Sequence, residues 1–162
     1  MVSIRPLEHD DRQKIRRLLE ESKTFPEHEI AVALELIEET LNAPARSCYQ
    51  IYCADEAGRL AGYICFGRIS MTDACFDLYW IAVDRDMSRH GVGSQLMAFM
   101  ENAVREQGAR RVYVETSSLP AFAAARAFYK KQHYELVSIL TDFYRIGDHK
   151  MVFVKDLHPL QI

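Results

Sequence analysis

Trp80-Ile81-Ala82-Val83-Asp84-Arg85-Asp86-Met87-Ser88-Arg89-His90-Gly91-Val92-Gly93-Ser94-Gln95-Leu96 is an apolar strand that runs through a polar loop into a helix with glycines in its first turn. The first N–H groups of a helix have no intrahelical partner and point outward with the positive end of the dipole, so such a turn suits a phosphate or diphosphate. Gly91 and Gly93 would let an anion approach the backbone, and Ser88, Arg89, His90, Val92 and Ser94 complete the turn. Two familiar phosphate motifs are excluded. G-x-x-x-x-G-K-[ST] is absent, and G-x-G-x-x-G fails because its last position is Leu96. A diphosphate-binding turn of another kind and a plain helix start that uses glycine for close packing both remain open.

Outward from this stretch, the apolar period alternates between strand and helix. Toward the N-terminus, Phe76 to Val83 is apolar almost throughout and is expected in the middle of a sheet. Leu60 to Ile69 and Cys48 to Ala54 read as two strands joined by the turn Glu56-Ala57-Gly58-Arg59. Before them come a helix with Ile30, Leu34, Ile37 and Leu41 on one face, opened by Pro26 and Glu27 and stopped by Pro44, and a helix with Ile15, Leu18 and Leu19, capped by Asp10 or Asp11. Ile4-Arg5-Pro6-Leu7 is a short first strand.

Toward the C-terminus, Leu96, Met100, Ala103 and Val104 mark a long helix ending at Gly108, followed by a strand from Arg111 to Glu115. Ser118 and Pro120 introduce a helix with Phe128-Tyr129 near its end. Glu135 to Leu140 and Lys150 to Val154 close the chain as two strands joined around Gly147-Asp148. Strand, two helices, three strands, helix, strand, helix and two strands make a mixed α/β sheet covered by helices.

Composition narrows the function. The 162 residues are 49% hydrophobic and 27% charged, the balance of one globular domain. A net charge of -3 argues against binding a nucleic-acid backbone. The N-terminus lacks the apolar stretch of a signal peptide, and no run approaches a membrane span, so a cytoplasmic address and no membrane partner are expected. Cys48, Cys53, Cys65 and Cys75 lack C-x-x-C spacing and are expected to be buried, reduced thiols. His9, His28, His149 and His158 form no ligand spacing, so no metal is expected.

The turn resembles the coenzyme A signature of the GNAT superfamily, [QR]-x-x-G-x-[GA], with its glycines on Gly91 and Gly93 and Ser88 in place of Gln or Arg. Ala125-Arg126-Ala127-Phe128-Tyr129-Lys130-Lys131-Gln132-His133-Tyr134 is similar to a second segment of that family, A-x-x-F-Y-x-x-x-G-[FY]. There His133 replaces the glycine, and Phe122 stands where an Asn is frequent. The order of elements agrees over most of the chain.

The resemblance implies one GNAT acyl-CoA N-acyltransferase domain over residues 1–162, with a central sheet of six to seven strands and about four helices. It implies acetyl-CoA as cosubstrate, no metal, and direct transfer in a ternary complex to a primary amine. Ile81, Ala82 and Val83 at the end of the central strand, with Phe128 and Lys131, are then expected beside the coenzyme. Tyr129 is expected to protonate the departing thiolate with an ordinary tyrosine pKa near 10. Glu115, with Asp77 second, is the candidate to accept the ammonium proton. Phe76 to Val83 and Asp142-Phe143-Tyr144 with Gly147-Asp148 resemble a subgroup acting on small amino acids such as D-alanine. A small-molecule amine is therefore the expected partner, and the reading admits a homodimer. Two alternatives stand beside it: an acetyltransferase for protein N-termini or lysines, and a non-catalytic module that binds coenzyme A.

Overall fold

Among the described residues, seven strands form where β-branched and aromatic residues gather: β1 Val2–Pro6, β2 Gln50–Glu56, β3 Arg59–Arg68, β4 Cys75–Val83, β5 Arg111–Ser117, β6 Glu135–Arg145 and β7 Asp148–Asp156. The computed structural model describes residues 1–157, with Arg89 through its backbone alone. His158 therefore lies outside the described residues. Among these residues four helices, α1 Asp11–Ser22, α2 Glu27–Asn42, α3 Val92–Glu106 and α4 Ala123–Lys131, arise from the stretches of 3.6-residue period. The strands are hydrogen-bonded in the order β1-β2-β3-β4-β5-β7-β6, which puts the apolar β4 in the middle. β4 and β5 are parallel, whereas β1–β2, β2–β3, β5–β7 and β7–β6 are antiparallel.

Contacts within the chain gather into two units: Met1–Gly67 with Tyr79–Met100, and Arg68–Leu78 with Glu101 onward. In the first, Ile15 and Leu19 of α1 and Ile30, Leu34 and Ile37 of α2 pack with Ile51, Cys53, Tyr63 and Cys65 of β2 and β3. Asp10 occupies the cap position of α1 without a side-chain cap bond. Asp11 is fully buried and accepts from the Glu8 amide at 2.8 Å and from Arg5 at 2.7 and 2.9 Å. Burial alone would raise its pKa, yet the Arg5 hydrogen bonds and the Glu8 amide outweigh it and hold the carboxyl at about 2.

Glycine is required by sheer proximity at two places in this unit, Gly62, where a Cβ would stand 2.7 Å from the Ala82 carbonyl oxygen, and Gly67. A Cβ at Gly67 would stand 2.3 Å from the Cys48 carbonyl oxygen, which belongs to backbone and cannot swing aside. Gly67→Ala should therefore destabilise the protein by about 2 kcal/mol, the scale of an overpacked interior site. Chemical denaturation of parent and variant measures it, and an unchanged midpoint would show that the Cys48 loop yields freely.

In the second unit, Phe76, Val112, Val114, Tyr129, Tyr134 and Phe153 are buried. Glu101, also buried, takes the Lys155 ammonium at 2.8 Å and the Tyr134 hydroxyl at 3.3 Å, so its charge is paired.

Several expectations shift. The closing strands run longer than Glu135 to Leu140 and Lys150 to Val154, because pairing between β6 and β7 resumes at Arg145 and Asp148 after a wide irregularity. Pro120–Phe122 is a separate 3-10 turn ahead of α4. All four cysteines are free, but only Cys53, Cys65 and Cys75 are buried. Cys48 is exposed, a correction explained by the start of β2 at Gln50, which leaves Cys48 in the preceding loop.

Candidate active site

In the first unit, β4 ends at Val83 and the chain turns through a 3-10 segment, Arg85–His90, into α3. Asp84 sets the turn: its amide donates to the Ala61 carbonyl at 2.8 Å and its carboxylate accepts from the Asp86 amide at 2.8 Å. Met87 is buried beneath the turn. The Ser88 hydroxyl donates back to the Arg85 carbonyl at 2.9 Å, and His90 Nδ1 lies 3.0 Å from Glu56 Oε2. Both side chains brace the loop. The Arg89 side chain lies outside the described residues.

Gly91 is left-handed, with φ 74° and ψ 14°, a conformation that favours glycine, and the position a side chain would take there is open space. Its carbonyl accepts from the Gln95 amide at 3.0 Å and so opens α3. Val92 is fully buried, so it has only its backbone to offer, while Gly91 and Ser94 lie at the surface. An open left-handed glycine before the first turn of a fifteen-residue helix fits a diphosphate, whose oxygens need backbone N–H donors and room to approach. Ala82 is buried, and Ile81 and Val83 are half-buried.

In the second unit, the β4–β5 ladder pairs Cys75–Leu78 with Arg111–Val114, and among the described residues its pairs end there. β5 continues past the paired stretch to Ser117. Asp77 is opposite Tyr113, Glu115 opposite Val152 and Ser117 opposite Lys150, so strand alternation puts Asp77, Glu115 and Lys150 on one face. The Lys150 ammonium is 2.7 Å from Glu115 Oε2 and 3.7 Å from the Phe143 ring centroid. Burial, and then the charge of Glu115, push the Asp77 carboxyl up to about 6, with Lys150 opposing. Ser117 Oγ donates to the buried Asp148 carboxylate at 2.5 Å, and Arg126 donates to the carbonyls of Ser117 and Leu119 at 2.6 and 2.9 Å. The end of β5 is thereby fixed to β7 and to α4.

Tyr129 stands in the last turn of α4, with its ring 5.9 to 6.5 Å from those of Phe128, Phe153 and Tyr134. Burial pushes its hydroxyl up to about 12, above the ordinary value expected from the sequence. It is fully protonated at neutral pH. Phe128 is half-buried and Lys131 exposed. His133, in place of the family's glycine, adopts φ 65° as the chain leaves α4.

The cluster thus unites two expected residues, Asp77 and Glu115, with two that sequence reading did not assign, Lys150 and Phe143. Among the described residues no group of three or more His, Cys, Asp or Glu side chains could hold a metal ion. Among the same residues no helix is long and apolar enough to cross a membrane.

The acetyltransferase (GNAT) family model matches residues 12–134. A solved structure from Desulfovibrio desulfuricans, assigned to the GNAT family of acetyltransferases, is 33% identical over 98% of this chain and 100% of its own, with a TM-score of 0.93. The ribosomal-protein-S18-alanine N-acetyltransferase of Escherichia coli aligns at 18% identity over 100% and 99% of the two chains, TM-score 0.75. An aminoglycoside 6'-N-acetyltransferase in complex with coenzyme A aligns at 15% identity over 99% of each chain, TM-score 0.76. The last two show likeness of fold alone. No curated protein matches the sequence.

Proposed function

The chain belongs to the acetyltransferase (GNAT) family, and on that premise we propose that it transfers acetyl from acetyl-CoA to the primary amine of a small molecule, by direct attack in a ternary complex. A small amino acid such as D-alanine is the proposed acceptor. The observation that carries this reading is the cluster of Asp77, Glu115 and Lys150 on one sheet face: two carboxylates to receive an ammonium group and a lysine to meet a carboxylate.

Acetyl-CoA supplies the activated acyl group and a thiolate leaving group. In the proposed reaction the Gly91 turn and the first N–H groups of α3, those of Val92, Gly93 and Ser94, hold the diphosphate. Ser88 and His90 brace that turn, and Lys131 offers a surface ammonium to the ribose phosphate. N–H groups of Ile81 and Val83, either side of Ala82, donate to the thioester oxygen as it becomes an oxyanion. Asp77 takes the proton of the acceptor's ammonium, directly or through a water, and the freed nitrogen forms the C–N bond. Glu115 is the weaker candidate for this step, because it is half exposed and held by Lys150. As the C–S bond breaks, the Tyr129 hydroxyl donates to the thiolate, with Phe128 packed against its ring.

A panel of free amino acids of both hands, polyamines, aminoglycosides and N-terminal peptides, supplied with acetyl-CoA while thiol release is followed, tests the assignment. Turnover with small amino acids supports it. Turnover confined to peptides would move the acceptor to protein N-termini or lysines, and coenzyme binding without transfer to any amine would leave a binding module.

The coenzyme turn makes its own prediction. Acetyl-CoA should raise the melting temperature, since a ligand that binds only the folded state stabilises it by mass action. Gly91→Val should shrink that rise, because a β-branched residue resists a left-handed φ of 74° and fills the space above the turn. Equal shifts in parent and variant would move the diphosphate elsewhere.

A further inference from the structure

Lys150 is unlike most of the six lysines in the chain. Its side chain is only 14% exposed, its ammonium lies 2.7 Å from Glu115 Oε2, and the Phe143 ring covers it at 3.7 Å to the centroid. Lys14, Lys23, Lys130 and Lys131 are exposed. Lys155 is the other enclosed lysine, and both oxygens of Glu101 hold its ammonium at 2.8 Å.

The two enclosed lysines stand on opposite faces of the sheet. In the β5–β7 register Lys150 is opposite Ser117 and Lys155 opposite Val112, and residues an odd number of positions apart on a strand point to opposite sides. Phe153 shares the side of Lys155, and the Tyr129 ring packs on it at 6.0 Å between centroids. Lys150 shares the side of Asp77 and Glu115. On the proposed mechanism the thiolate leaves toward Tyr129, and the attacking amine arrives on the face that already holds Lys150. An acceptor brings to that face a primary amine beside a carboxylate able to take its proton. Lys150 and Glu115 present the same two groups before any acceptor arrives.

We propose that Lys150 is a modification site, acetylated by the chain's own reaction when no small amine occupies this face. The inference rests on the reading of the Asp77 and Glu115 face as the acceptor's. Glu115 takes a proton from the Lys150 ammonium across their contact, and the freed nitrogen attacks the thioester carbonyl of acetyl-CoA. The C–N bond forms as the C–S bond breaks, and the bonding pair leaves with the sulfur beside the Tyr129 hydroxyl. Of the ammonium protons, one stays on the amide nitrogen, one passes through Glu115 to solvent, and one is balanced by the proton that completes the free thiol. Nothing is oxidised or reduced. The product is an uncharged amide, which gives up the ion pair with Glu115 and the cation contact with Phe143. It no longer offers a charge to an acceptor's carboxylate, so acetylation closes the face when acetyl-CoA is plentiful and the acceptor scarce.

The test is incubation of the full chain with acetyl-CoA and no amine, followed by digestion and mass spectrometry of the peptides. Lys150 should gain an acetyl group about tenfold faster than Lys130 or Lys131, since an amine already in place needs no encounter. An amine that the panel above shows to be turned over should slow the labelling, and activity toward that amine should fall in step with the label. Tyr129→Phe should slow labelling and turnover by one common factor, which simple chemical acylation by the thioester would not obey. Turnover of an amine with Lys150 unlabelled, or labelled no faster than the exposed lysines, would overturn the proposal and leave the acetyltransferase reading in place. So would labelling that Tyr129→Phe leaves unchanged while turnover falls. Neither label nor turnover with any amine would overturn both.

Discussion

Asp77→Asn should lower kcat at pH 7 about 10²-fold while making the folded protein more stable at the same pH. Both effects come from one carboxyl, pushed up to about 6 by burial and by Glu115 against the opposing charge of Lys150. A base with this pKa is mostly ionised at neutral pH yet still takes a proton readily. In the parent, kcat/KM should therefore rise with pH through about 6, and that arm should vanish in the variant. Stability runs the other way. The unfolded chain releases the Asp77 proton near 3.9, while the folded chain keeps it until about 6. Between those values the unfolded state binds fewer protons, so Asp77 lowers stability as pH rises. Above the window the asparagine should gain about 1 to 2 kcal/mol, discounted for the solvent that reaches the site. Glu115→Gln should leave more activity and move the rising arm to lower pH, because it removes a charge that opposes ionisation of Asp77. A pH profile unchanged in Asp77→Asn would remove this carboxylate from the mechanism.

Tyr129→Phe should lower kcat by a similar factor, about 10²-fold, with little change in acetyl-CoA binding or in melting temperature. The ring is buried among Phe128, Tyr134 and Phe153, and phenylalanine fills the same space. With its pKa raised to about 12, the hydroxyl is a weaker acid than an ordinary thiol. On the proposed mechanism its contribution is then a hydrogen bond to the sulfur as charge develops, with full proton transfer completed afterwards. The loss should be largest with acetyl-CoA and smaller with a thioester whose thiol has a low pKa, since that leaving group needs less help. Isothermal titration paired with steady-state kinetics separates the two quantities. Equal loss of binding and turnover would make the hydroxyl structural, and full activity would end its part in the chemistry.

Sequence alone yields the alternation of strands and helices, the central place of β4 and the glycine turn before α3, because each rests on local period and local backbone need. Phe128 and Tyr129 near the end of α4 are legible for the same reason. Lys150 was not. Its approach to Glu115 depends on Ser117 standing opposite it in the β5–β7 register, a relation between residues more than thirty apart that no local pattern encodes. The raised pKa values of Asp77 and Tyr129 were likewise out of reach, since both begin with burial. Cys48 departs from its expected burial because an apolar neighbourhood in sequence is not burial, and its segment is loop. The exposed length of β6 escaped because a strand apolar on both faces reads from sequence as one buried on both.

His133 follows α4 in a left-handed conformation that a side chain tolerates only at some cost, about 1 kcal/mol relative to glycine. The family's glycine at this point would remove that cost without touching Tyr129 or the coenzyme turn. A reserve of stability therefore lies one codon position away from the present protein. Changes of acceptor preference usually reshape packing and weaken a fold. A lineage that first relaxed this residue could absorb such changes, so His133 marks a starting point for laboratory evolution of the acceptor pocket.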